Sequence, residues 1–252
     1  HAQSGEATVV LTFAGQSQTY LEDLDALYAY PAPRRLIEAC AHALQAELAS
    51  GAALHGLHPY GLDLIRWLED AETRPPATAL ASSQISQPLI FIAQAARLVH
   101  LERFGFAPEN IDAWCACTTG HSQGIMPAML AAEGLAPTQL IERACVMTRY
   151  LLWQGIHMQI AWGRTSGEYA PMVAVTGQTR EEVLAFADDL EVTLSLTNAP
   201  RRFVFSGIPS DLAQLVQRIK ARSDAEHEAF ADGKRARPRP LGIEWLGVSA
   251  PF

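Results

Sequence analysis

No apolar run in the 252-residue chain reaches the roughly 18 residues that a membrane-spanning helix requires, so no span is expected. Charge is scarce: charged residues make up 18% of the chain, against roughly 25% in an ordinary soluble domain. Basic residues are the scarcer sign, 19 Lys+Arg against 27 Asp+Glu, for a net charge of −8. That balance argues against nucleic acid as the main partner, because phosphate binding needs a basic surface. Only four cysteines occur, at 40, 115, 117 and 145. Cys115 and Cys117 form a C-x-C with no second pair at zinc-ligand distance, so no metal site is expected. The expectation for the cysteines is buried free thiols in a reducing, cytoplasmic setting. The first residues, HAQSGEATVV, have neither a basic n-region nor an apolar h-region, so no signal peptide is expected. The chain does not begin with Met, which points to a processed or excerpted polypeptide. Gly 17 and Pro 15 are ordinary usage and exclude collagen-like and low-complexity readings.

Hydrophobic residues make up 49%, enough for a sizeable core and too many for disorder. Residues 8–13 (TVVLTF) are β-branched and apolar and read as a buried strand. Helix-period apolar patterns cover 34–49, 60–70 and 84–104. A short apolar run, 114–118 (WCACT), reads as a second strand. Helices are expected over 124–133 and from Pro137 to about 153. Strand, sharp turn and helix in this order predict a parallel α/β sheet. From about residue 170 the rhythm changes. Strands are expected at 172–175, 192–196, 203–206 and 243–248, with helices at 180–190 and 210–221. That βαββαβ order predicts a smaller ferredoxin-like unit. The basic, Pro-rich stretch 232–240 reads as a solvated loop.

The chemical signal is Gly120-His121-Ser122-Gln123-Gly124. G-x-S-x-G needs glycines because its serine lies on a tight, strained turn from strand to helix. The turn lifts the hydroxyl out of the sheet and sets it at a helix N-terminus, where free N–H groups favour developing negative charge. An apolar strand before the pentapeptide and a helix after it supply the context the motif requires, so Ser122 is the candidate nucleophile.

Further segments accompany this elbow in a fixed order. They are Phe13-Ala14-Gly15-Gln16-Ser17-Gln18, Ser86-Gln87-Pro88-Leu89-Ile90-Phe91, Gln154-Gly155-Ile156-His157-Met158-Gln159, Thr197-Asn198-Ala199-Pro200 and Val248-Ser249-Ala250-Pro251-Phe252. The set resembles the acyl-CoA:acyl-carrier-protein transacylases over nearly the whole chain. The GHSQG form, with its long preceding segment, looks most like the N-terminal acetyltransferase domain of fungal- and mycobacterial-type type I fatty acid synthases. The resemblance implies an α/β-hydrolase-like core over residues 1–165, a ferredoxin-like subdomain over 166–245, and a return to the core over 246–252.

It also implies roles. Ser122 would be acylated, and the backbone N–H groups of Gln123 and Gln16 would form the oxyanion hole. Asn198 matches a residue lining the family's cleft, and His121 would pack beside the nucleophile and line the substrate site. Where the family has GQGSQ, this chain is one residue shorter. Malonyl-specific members carry R-G-x-x-M-Q, and their Arg clamps the malonyl carboxylate. Here the sequence is Q-G-I-H-M-Q, with Gln154 in place of that Arg. A neutral amide cannot make the paired charge-assisted bonds of a guanidinium, so acetyl is expected over malonyl. Arg149, five positions earlier, could reach in from the preceding turn. In the family V-S-x-P-F is followed by a His that acts as general base. The expectation is therefore that Phe252 is followed by the catalytic His in a longer polypeptide.

The implied reaction is acetyl loading from acetyl-CoA, through an acyl-serine, to the phosphopantetheine of an acyl carrier protein, with no tightly bound cofactor. The implied partners are the carrier protein and the other domains of a large homo-oligomeric cytoplasmic synthase, with neither nucleic acid nor membrane among them. Arg34, Arg35, Arg201 and Arg202 are candidates for docking the acidic carrier. Alternatives are a malonyl or palmitoyl transacylase, a serine esterase or thioesterase with the same elbow, and a non-catalytic structural module of the synthase.

Overall fold

A computed structural model describes residues 8–16, 19–50, 58–163, 170–233, 237–248 and 250. The chain divides into two units, His1–His157 and Met158–Phe252. In the first, β1 (Val9–Phe13) leads to α1 (Leu21–Tyr28) and α2 (Pro31–Ser50). Next come α3 (Leu64–Glu69), α4 (Ala77–Leu80), α5 (Ser83–His100) and α6 (Ile111–Trp114). β2 (Cys115–Gly120) then feeds α7 (Ile125–Ala132), followed by α8 (Pro137–Trp162), within which the unit boundary falls. No described helix is long and apolar enough to cross a membrane.

β1 and β2 run parallel, with Thr12 opposite Thr119 and Phe13 opposite Gly120. α5 lies beneath them as the spine of the unit. Its Leu89, Phe91 and Ile92 are wholly buried, and its apolar stripe meets Leu36, Ile37 and Leu44 of α2 in one core. Burying such side chains contributes about 1.5–3 kcal/mol each, which holds α5 in place despite the ladder bond that Pro88 removes from its interior. Trp153 of α8 donates its indole N–H to Glu47 of α2 at 2.7 Å. Gly155 of α8 lies so close to the start of α5 that a Cβ there would sit 2.4 Å from the Ser83 carbonyl oxygen.

The helices cover one face of the β1–β2 pair. Val10, Thr12, Cys117 and Thr119, on the opposite face, are exposed. This corrects the expectation of buried thiols: of the four free cysteines only Cys40 is buried, and Cys117 is exposed because its side chain lies on the strand face opposite the one the helices cover.

The second unit runs β3 (Met172–Thr176), α9 (Arg180–Ala187), β4 (Val192–Ala199), β5 (Arg202–Gly207), α10 (Pro209–Ala231) and β6 (Gly242–Trp245). Its sheet has the order β4-β5-β3-β6 and is antiparallel throughout. Val173, Val175, Phe203 and Phe205 pack against Val183 of α9 and Leu212, Leu215 and Ile219 of α10. α9 starts at a capping box, where Thr179 Oγ1 accepts from the Glu182 N–H at 3.3 Å and Glu182 accepts from the Thr179 N–H at 2.6 Å.

Candidate active site

The parallel strands deliver two loops side by side at their C-terminal ends, where α/β sheets place their ligands. The β1 loop carries Ala14, Gly15 and Gln16; the β2 loop carries His121, Ser122 and Gln123. The His121 N–H donates to the Phe13 carbonyl at 3.0 Å, extending the strand pairing into the turn. Ser122 then adopts φ 53°, the only non-glycine positive φ among the described residues. Left-handed backbone costs a side-chain-bearing residue roughly 1–3 kcal/mol, and such strain concentrates at functional sites. Ser122–Gly124 forms a single 3-10 turn that leads directly into α7, and Ser122 is exposed.

Glycines make this tight turn possible. A Cβ on Gly124 would meet the Phe13 carbonyl oxygen at 2.3 Å, and one on Gly120 would meet the Gly124 carbonyl oxygen at 2.0 Å. Gly15 brings the first loop onto the second, since a Cβ there would lie 2.8 Å from the His121 carbonyl oxygen and 3.1 Å from Ser122 Cβ. Ser122, His121, Gly15 and, through chain continuity, Gln16 and Gln123 therefore form one cluster. Gln123 anchors the elbow to α5 by donating its side-chain N–H to the Gln87 carbonyl. Its side-chain oxygen Oε1 is buried and has no hydrogen-bond partner among the described residues. Thr118, on the covered face of β2, donates to the Ala128 carbonyl of α7 at 2.9 Å and pins the helix that follows the serine.

The first turns of α5 are polar, and Ser83, Gln84, Ser86 and Gln87 are all buried. Gln16 Nε2 reaches into them, 3.3 Å from Ser86 Oγ and 3.5 Å from Ser83 Oγ. Gln94, two turns further along α5, donates to the Ala14 carbonyl at 2.8 Å. Sequence reasoning missed Gln94 altogether, since nothing in the apolar pattern of α5 marks it.

Gln154 is exposed on α8, one residue before the Gly155 that abuts Ser83. The packing of Gly155 thus sets it near the turn of α5 that receives Gln16. His157 and Arg149 are also exposed on α8. Asn198 is exposed on β4 of the second unit. Of the four docking arginines, Arg34 is engaged by Glu38 at 2.8 Å and lies over the Tyr28 ring, whereas Arg35, Arg201 and Arg202 are exposed. Ser17, Gln18, Ser249, Pro251 and Phe252 lie outside the described residues. Among the described residues no three His, Cys, Asp or Glu side chains gather as metal ligands.

One thiol pair stands apart from this cluster. Cys40 of α2 and Cys145 of α8 lie close enough for their thiols to influence each other. The Cys40 thiol, aided by the Arg149 guanidinium, lowers Cys145 to about 7 against partial burial; Cys40 is raised.

Residues 11–230 match the family model described as "Starter unit:ACP transacylase in aflatoxin biosynthesis". The chain is 28% identical over 270 aligned positions to the fatty acid synthase beta subunit aflB of Emericella nidulans, covering 98% of this chain and 13% of that protein. It is 26% identical over 278 positions to the fatty acid synthase subunit beta of Saccharomyces cerevisiae, covering 98% of this chain and 14% of the relative. The chain therefore spans about a seventh of the length of these relatives. Among solved structures it is similar to a loading acyltransferase of the avermectin modular polyketide synthase, with TM-score 0.61, 19% identity, and coverage of 96% of this chain and 62% of that one. It is also similar to the acyl-carrier-protein S-malonyltransferase of Bartonella henselae, with TM-score 0.59, 22% identity, and coverage of 98% and 64%.

Proposed function

Because the chain belongs to the starter unit:ACP transacylase family, we propose that it loads an acetyl group from acetyl-CoA onto an acyl carrier protein through an ester on Ser122. The observation that carries this reading is the left-handed backbone of Ser122 at a strand-to-helix turn, with the Gly15 loop pressed against it. Ser122 Oγ attacks the thioester carbonyl. The backbone N–H groups of Gln123 and Gln16 hold the oxyanion, such donors contributing about 3–4 kcal/mol each to the transition state. Coenzyme A leaves as its thiol. The phosphopantetheine thiol of the carrier then attacks the acyl-serine, and Ser122 regains its proton. The family resemblance assigns the proton transfers to a histidine directly after Phe252, a Ser–His pairing.

Gln154 supports acetyl over malonyl. Burying the malonyl carboxylate opposite a neutral amide forfeits charge-assisted hydrogen bonds of about 1.5–3 kcal/mol. The family resemblance assigns substrate-binding roles to His121 and to Asn198. We assign the second unit to the ferredoxin-like class, supported by its β-α-β-β-α-β element order and its β4-β5-β3-β6 antiparallel sheet. The first unit is assigned to the α/β-hydrolase-like class on its parallel strands and elbow. The natural setting is a cytoplasmic, homo-oligomeric, multifunctional synthase whose carrier-protein domain is the partner.

The test is to incubate the full polypeptide carrying this chain with labelled acetyl-CoA and malonyl-CoA and to locate the label by peptide mass. Acetyl label on Ser122, lost in Ser122→Ala, is expected. Malonyl label in excess would overturn the selectivity, and label on neither would overturn the reaction.

A further inference from the structure

The side chain of Gln16 points away from the use proposed for its backbone. Its Nε2 lies between two hydroxyls of α5, 3.3 Å from Ser86 Oγ and 3.5 Å from Ser83 Oγ. Ser86 Oγ in turn lies 3.5 Å from the Ala81 carbonyl, which can only accept; the Ser86 hydroxyl therefore donates there and accepts from Gln16. Two residues upstream of Gln16, the Ala14 carbonyl accepts from Gln94 Nε2 at 2.8 Å. Gly15 stands between these two anchor points. Without a Cβ, its φ and ψ are the freest in the loop, and they determine where the Gln16 N–H points. Gly15 cannot be exchanged for a stiffer residue, since a Cβ would strike the His121 carbonyl oxygen at 2.8 Å. Direction has to be imposed from outside the glycine, on both of its sides.

We propose that Ser86 and Gln94 of α5 are positioning residues that clamp the peptides flanking Gly15 and so aim the Gln16 N–H at the developing oxyanion. The clamp rests on the acyl-transfer reading of Ser122. Its frame is rigid because the helix between the two anchors is deeply buried: Leu89, Phe91 and Ile92 are wholly inaccessible. The same helix holds the other proposed donor, since the Gln87 carbonyl accepts from the Gln123 side chain. One element therefore sets the spacing of both halves of the oxyanion site, and an error at either anchor tilts one donor against the other. A hydrogen bond that must be aimed loses its effect on the transition state before substrate binding suffers.

The experiment measures single-turnover acetylation of Ser122 in the full polypeptide with Ser86→Ala, Ser86→Thr and Gln94→Met. Removing a whole oxyanion donor costs about 10²–10³ in rate, so a misaimed one should cost about ten- to a hundredfold. Ser86→Ala and Gln94→Met are expected to lose that much in the maximal rate, with the half-saturating acetyl-CoA concentration within about twofold of wild type. Ser86→Thr, which keeps the hydroxyl, restores the rate. If Ser86→Ala does not fold, Ser86→Cys, with a weaker donor, carries the test. The clamp is overturned if the maximal rates stay at wild type, if Ser86→Thr falls as far as Ser86→Ala, or if only the half-saturating concentration moves. If wild-type protein takes no acyl group on Ser122, the functional reading falls and this inference falls with it.

Discussion

Gly120 and Gly124 touch across the elbow so closely that a Cβ on the first would sit 2.0 Å from the carbonyl oxygen of the second. The contact is backbone to backbone, so no side chain can swing aside. Gly120→Ala should therefore force the turn open. The expected loss is about 1–3 kcal/mol or more of stability, the usual cost of overpacking. Acyl loading should be abolished even in the fraction that remains folded. Thermal unfolding and Ser122 labelling on the same sample would check both.

On the proposed reading, a cation at position 154 should change substrate preference. Gln154 is exposed and sits one residue from the Gly155–Ser83 contact, so an arginine fits without repacking. Gln154→Arg should raise malonyl over acetyl loading by about tenfold or more, as expected for a charge-assisted pair of about 1.5–3 kcal/mol. Competition between the two thioesters, read by mass on Ser122, measures the ratio. An unchanged ratio would remove Gln154 from any part in selectivity.

The Cys40–Cys145 pair should be visible to alkylation. With Cys145 near 7, about half of it is thiolate at pH 7, and its reaction with iodoacetamide should slow about fivefold by pH 6. Buried Cys40, with its thiol pushed up, should remain unmodified. Cys40→Ala removes the neighbouring thiol and should move the Cys145 midpoint upward, toward the ordinary thiol value of about 8.5. Peptide mapping across pH 5.5–9 reads all three outcomes.

Acid should weaken the two units in different windows. Burial of His58 lowers its folded pKa below 6.5, so the unfolded chain binds the proton more readily. The first unit thus loses stability as pH falls below about 6.5. In the second unit, the Thr179 N–H holds Glu182 below 4.5; that contribution is present above 4.5 and is lost as pH falls further. His58→Phe should flatten the first limb and leave the second. Thr179→Ala should cost about 0.5–2 kcal/mol at neutral pH through the lost hydroxyl cap but keeps the backbone N–H, so the second limb remains. Glu182→Gln, which removes the titrating carboxyl, should flatten it. Denaturant unfolding from pH 8 to 3 distinguishes them.

What the sequence made legible was local chemistry. The elbow could be read because its glycines, strand and helix lie within a few residues of Ser122. The strands of the second unit could be read from β-branched and aromatic runs, and their observed bounds differ by at most three residues, at β4, which ends at Ala199 rather than 196, and at β6, which ends at Trp245 rather than 248. α1 was missed because three acidic residues in LEDLDALY obscure its buried Leu24 and Leu27. The helix expected over 60–70 begins at Leu64, where Asp63 accepts from the Arg66 N–H and supplies the cap. α8 runs to Trp162, past the expected stop near 153: the Gly155 that resembles a break is where the helix packs against Ser83. Gln94 was illegible because its partner, the Ala14 carbonyl, lies 80 residues away and bears no side-chain signature.

The twisted backbone at Ser122 makes this serine a standing tension in an otherwise well-annealed turn. Glycine would occupy the same conformation without penalty, so Ser122→Gly should leave a protein that melts higher, by roughly 1 kcal/mol, while carrying no acyl group. Selection for robustness alone would erase the hydroxyl. A serine here thus exchanges durability for a hydroxyl that can turn over.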